Sequence, residues 1–105
     1  MKFEDIKFVD TDVPKGIQAL VPFGEYELSI VKNDVSYGGK SGLYEIGVFK
    51  FEDGEANTLI EMPGITEPGD TVKGFLTEDG VMAIMKKNAF RNVTMSKTVS
   101  SLQRL

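Results

Sequence analysis

The sequence predicts a mainly β, α+β domain: a small antiparallel β-sandwich or partly open barrel of six to seven strands, with one helix near 78–88. Three observations carry this expectation. Several short segments alternate apolar and polar side chains, the period of a half-buried strand. Tight turn signals separate them, and hairpins need only tight turns, whereas parallel pairing needs long crossovers. Only the stretch after Thr77 combines helical spacing with the charges a helix favours at its two ends.

The elements follow in chain order. A short apolar segment, Ile6-Lys7-Phe8-Val9, turns polar at Asp10-Thr11-Asp12 before Pro14. Residues 16–21 make a short strand, ended at Pro22 and Gly24 because proline cannot donate to a ladder. In 25–33, Tyr26, Leu28 and Ile30 alternate with Glu25, Glu27 and Ser29, a half-buried strand. The glycine-rich stretch 34–42 is a loop. Residues 43–52 form a long strand with Tyr44, Ile46 and Val48 on one face and Leu43, Phe49 and Phe51 on the other, which reads as a central strand covered on two sides.

Asp53-Gly54 is the strongest hairpin signal, since an Asp-Gly pair accepts the positive φ angles of a type I′ turn; 55–61 returns as the partner strand. Pro63-Gly64 and Pro68-Gly69 fit type II turns, and 71–76 is a further strand. Thr77 then caps a helix over 78–88. Glu78 and Asp79 stand at its positive end, Lys86 and Lys87 at its negative end, and Asn88 ends it in left-handed geometry. In the tail, Val93, Met95 and Val99 alternate with polar residues, which favours a strand over 91–99; the conformation of 100–105 stays open. No repeat or linker divides the chain, so 1–105 is read as one domain.

Composition narrows function by exclusion. With 105 residues, 41% of them apolar, the chain can fold without disulfides or metal. It has neither cysteine nor histidine, which removes zinc-finger, thiol, haem and iron–sulfur chemistry and the Ser-His-Asp arrangement. Neither a signal peptide nor an apolar run near the ~20 residues of a membrane span is visible, so the expected compartment is the cytoplasm, or the host cytoplasm if the chain is viral.

The net charge of −4 hides a split: all sixteen acidic residues lie at or before Asp79, giving −9 for 1–79 and +5 for the rest. Lys86, Lys87, Arg91, Lys97 and Arg104 form that basic segment, which either folds back on the acidic body or meets a partner.

Candidate sites are few. Gly39-Lys40-Ser41 resembles part of a phosphate-binding loop, but Asp34 stands where a glycine is needed and a strand follows in place of a helix. What remains is a binding loop of Tyr37, Gly38, Gly39 and Lys40, with an aromatic residue of the type enriched at interface anchors. Asp10-Thr11-Asp12 fails the calcium-loop pattern at Lys15 and Val21, and the other carboxylate clusters already serve a turn and a helix start.

No catalytic residue, metal or cofactor is therefore expected. The leading expectation is a non-enzymatic protein–protein interaction module, an accessory, regulatory or assembly subunit of the size common in phage and mobile-element genomes. Its partner is another protein, and a homo-oligomer is compatible with it. The alternatives are a nucleic-acid-binding β-barrel using the basic segment, disfavoured by the acidic body, and a carboxylate-based hydrolase.

Overall fold

A computed structural model describes residues 2–52 and 55–88. The Asp53-Gly54 turn, the tail strand expected over 91–99, the segment 100–105, and Arg91, Lys97 and Arg104 lie outside the described residues.

Among the described residues there are six strands, β1 (Val9–Asp12), β2 (Lys15–Phe23), β3 (Tyr26–Asn33), β4 (Tyr44–Glu52), β5 (Glu55–Ile60) and β6 (Val72–Leu76), followed by one α-helix, α1 (Glu78–Lys87). All pair antiparallel in one sheet of order β1-β2-β3-β4-β5, with β6 also on β4; the sheet does not close into a barrel. The chain thus adopts the expected β-rich α+β class. β5 pairs with β4 from Val48 to Glu52 and β6 from Tyr44 to Gly47, so two short strands share one edge of the central strand.

Two residues join β1 to β2, β2 to β3 and β4 to β5, and residues 34–43 join β3 to β4; each strand returns beside its predecessor. Glu52 and Glu55 are register partners, as the Asp-Gly signal requires. Gly64 and Gly69 take φ of 90° and 79°, the conformation expected after their prolines.

Three boundaries differ from the sequence expectation. The first strand is the polar Val9–Asp12, because Ile6 is drawn into the core and Phe3 and Phe8 pack against it. β2 runs through Pro22 to Phe23. There it has passed the end of β1, whose last partner is Gln18, so the missing N–H faces no neighbouring strand among the described residues. Asn88 closes the helix at φ −100°, not in left-handed geometry. Its backbone N–H and its Nδ2 both donate to the Ile84 carbonyl, at 3.1 and 2.7 Å, and Nδ2 reaches Gly64 O at 3.3 Å, so the side chain supplies what a left-handed turn otherwise would.

One face of the sheet carries the core. Leu28 faces Val48 and Ile30 faces Ile46, all of them essentially sealed from water, and Val81 and Met85 of α1 join the same cluster. Each fully buried aliphatic side chain of this kind contributes roughly 1.5–3 kcal/mol. Phe3, Phe8 and Tyr44 close one end with ring centroids 5.3–5.7 Å apart, and Lys32 Nζ lies 4.9 Å from the Tyr44 centroid.

Tyr44, Ile46 and Val48 therefore share the buried face as their alternation predicts. On the opposite face Phe49 is half-buried, Glu27, Ser29 and Gly47 are buried, and no described residue belongs to the core cluster.

Candidate functional site

An unusual backbone conformation lies where β6 meets β4. Leu76 pairs with Tyr44 and Lys73 with Ile46, so Gly74 and Phe75 stand where β4 has only Glu45. This is a β-bulge, which re-aims the side chain it carries. Phe75 takes φ 56°, and it is the one non-glycine residue with positive φ among the described residues. A bulky side chain in left-handed conformation is a genuine outlier, costing about 1–2 kcal/mol. The side chain so placed is not buried: Phe75 is 66% exposed.

Tyr37 stands beside it. The Phe75 N–H donates to Tyr37 O at 3.0 Å, tying the bulge to the glycine-rich loop. The approach is close because two glycines meet it. A Cβ at Gly74 would lie 2.3 Å from Tyr37 Cβ, and one at Gly38 would lie 2.9 Å from Phe75 Cα. Tyr37 is 55% exposed, so two aromatic side chains face solvent from backbones that are hydrogen-bonded to each other.

The loop itself is tightly built. Asn33 Oδ1 accepts from the N–H groups of Val35 and Ser36 at 2.9 and 2.8 Å, and Ser36 Oγ accepts from Asn33 N–H at 2.9 Å. Gly39 N–H donates to Ser36 O and Leu43 N–H to Gly38 O, closing a short 3-10 turn at Gly39–Ser41 that leads into β4. Asparagine and serine at these places bond their own backbone and so fix the turn. Gly38 and Gly39 are half-buried because they pack against the bulge and the end of β3. Lys40 is exposed on the 3-10 turn.

Glu45, opposite the bulge, is the charged residue of this region with a displaced titration. Burial pushes its carboxyl above the usual value of 4.5, the hydrogen bond from Tyr37 N–H pulls it down, and Asp70 nearby pushes it up.

The structure places the other expected residues elsewhere. Lys86 and Lys87 are exposed in the last turn of α1, and Lys87 lines a surface depression with Gly64, Pro68 and Lys73, away from the loop. Sequence reasoning found Tyr37 but missed Phe75, Gly74 and Glu45. The available signal was Gly74, since an isolated glycine within a strand pattern often marks a bulge.

No group of three or more Asp, Glu, His or Cys placed to hold a metal occurs among the described residues. No described helix is long and apolar enough to cross a membrane. Comparisons with known proteins found no matching family model, no matching curated protein and no matching solved structure.

Proposed function

We propose that this chain is a non-enzymatic protein-interaction module that docks through the edge formed by Tyr37 and Phe75. The observation that carries the reading is Phe75: a bulky residue held at φ 56° with 66% of its surface in water. Strain of this kind persists where surrounding structure over-determines it and clusters at functional sites. A core role does not account for it, since the ring is outside the core cluster. Exposed aromatic residues on a rigid backbone are the type of group that anchors protein interfaces, because little conformational entropy is lost on binding.

Lys40 and Val35, both exposed on the same loop, supply rim contacts of mixed character. The chemistry of the edge is apolar with a cation and fits a protein surface.

Phe75→Gly tests the reading well, because glycine suits the left-handed backbone and only the ring is lost. Proteins recovered on the wild-type chain from its native host are compared by mass spectrometry with those recovered on Phe75→Gly and on Tyr37→Ala. A direct partner is expected to fall about tenfold or more in recovery on both variants, and to bind the purified wild-type chain. Equal recovery of every protein on all three chains removes this edge as the docking surface.

A further inference from the structure

The two faces of the sheet differ in charge as well as in cover. Along the registers, Lys15, Lys32, Lys50 and Lys73 all fall on the face that carries the core. These are all the lysines of the described strands, and arginine occurs only at Arg91 and Arg104. The opposite face therefore has no basic residue at any described strand position.

It carries Glu45, opposite Val31 and two positions from Gly47, and at the far end of the same ladder Glu27, opposite Phe49. Glu27 is only 8% exposed and Glu45 is half-buried.

The same face is also apolar. Leu20 is 48% and Leu59 39% exposed, and Val31, Phe49 and Val72 are half-buried outside the core cluster. Around Gly47 these side chains leave a groove of about 160 Å³, lined by Ser29, Val31, Glu45, Phe49, Leu59 and Val72. The groove exists because position 47 has no side chain. A Cβ there would meet Leu59 Cδ2 at 3.0 Å and Val72 Cγ1 at 3.4 Å.

We propose that this second face docks a basic, apolar segment of another protein, which sets an aliphatic side chain over Gly47 and a lysine or arginine against Glu45. The charge pattern selects this occupant. A second copy presenting the same face offers no lysine or arginine at any described strand position to meet Glu45. Nucleic acid brings phosphates, which the Glu45 carboxylate repels. A cation arriving at Glu45 compensates the carboxylate for the water it has lost, and the aliphatic side chain removes Leu59 and Val72 from solvent. This surface meets the aromatic edge at Glu45, opposite the Phe75 bulge, but neither ring lines its apolar groove, so loss of a ring and loss of the groove are distinguishable.

The test uses the full 105-residue chain and two synthetic peptides, one alternating valine with lysine and one alternating valine with glutamate. Backbone amide shifts are followed during titration. The lysine peptide is expected to move Ser29, Val31, Glu45, Gly47 and Leu59 in a saturable way, and the glutamate peptide to leave them in place. Glu45→Gln, which keeps the hydrogen-bond acceptor for Tyr37 N–H, is expected to weaken the lysine peptide about fivefold or more. Leu59→Lys is expected to weaken it further, and added salt to weaken it in the wild type. If Leu59→Lys fails to fold, Glu45→Gln alone decides.

Shifts centred on another surface, equal response to both peptides, or indifference to Glu45→Gln overturns the proposal. So does direct contact of the chain's own residues 89–105 with Val31 and Gly47 in the unliganded protein. Phe75→Gly is expected to leave the peptide affinity unchanged, which separates failure here from failure of the aromatic edge.

Discussion

The Phe75 N–H donates to the carbonyl of Tyr37 at 3.0 Å, and on either side of that bond a ring stands in solvent. The bond joins a loop between β3 and β4 to a bulge in β6, two segments far apart in sequence. Four expected outcomes in and around this edge and at the start of α1 can be measured.

Substitutions at Phe75 should separate by backbone preference and not by size. Phe75→Gly relieves about 1–2 kcal/mol of left-handed strain and loses about 0.5–1 kcal/mol through glycine's greater freedom when unfolded. Its stability in urea should equal or slightly exceed that of the wild type. Phe75→Val, β-branched at the same φ, should be less stable by about 1 kcal/mol or more. A Phe75→Gly chain far less stable than Phe75→Val would mean that the ring is a packing element.

Gly74→Ala should be costly despite its small size. The new Cβ would lie 2.3 Å from Tyr37 Cβ and 2.9 Å from Tyr37 O, so loop and bulge must separate. Overpacking of this kind costs about 1–3 kcal/mol. The amide of Phe75 should also lose its protection against hydrogen exchange, and retained protection would show that the clasp survives.

Glu45 should give the chain a small stability gain on acidification. Burial holds its folded pKa above the ordinary value of 4.5. Its contribution is thus most favourable below that value and is lost as pH rises through the folded pKa. Glu45→Gln imitates the neutral carboxyl, so it should be the more stable chain at pH 7, with the difference vanishing near pH 4. Because the carboxylate is partly in water, screening keeps the effect under ~1 kcal/mol. Thermal melts of both chains across that range test it. A difference independent of pH, or of opposite sign, would remove burial as the dominant cause.

Thr77→Ala should lower stability by about 1 kcal/mol, because Thr77 Oγ1 accepts from Gly80 N–H at 3.0 Å at the start of α1. Thr77→Ser should restore most of it. If alanine and serine behave alike, the cap is not contributing.

Much of this fold was legible because its signals are local. Alternation in Tyr26, Leu28 and Ile30 gives β3, and Thr77 with Glu78 and Asp79 marks the helix start. The bulge left one local signal, Gly74, in a stretch, Val72–Leu76, that otherwise has the composition of a plain strand. Its extra residue is fixed by pairing with β4 and by the distant carbonyl of Tyr37, neither of which local sequence encodes.

The two-sided apolar pattern of β4 is a different case. It identified a central strand correctly, yet apolar residues on a second face can serve a docking surface as well as a core, and Phe49 lies outside the core cluster. Tyr37 was found because an aromatic residue among glycines has little to pack on locally; its neighbour Phe75 was hidden inside an apparent strand.

The shared edge of β4 carries a kinetic consequence. Val48 is the last residue bonded toward β5 and Gly47 the first bonded toward β6, so the division falls between two adjacent residues. One continuous neighbour would release the whole edge in a single event. Here each half has its own anchor: β5 is held by the hairpin with β4 and by Ile60 against the core, whereas β6 is joined through Thr77 to α1, whose Val81 and Met85 are sealed in the core. The hairpin half can therefore fray while the half beside the bulge stays shut. Brief opening at one end of the molecule leaves the aromatic edge at the other undisturbed, and the central strand never bares its full length to a neighbouring chain.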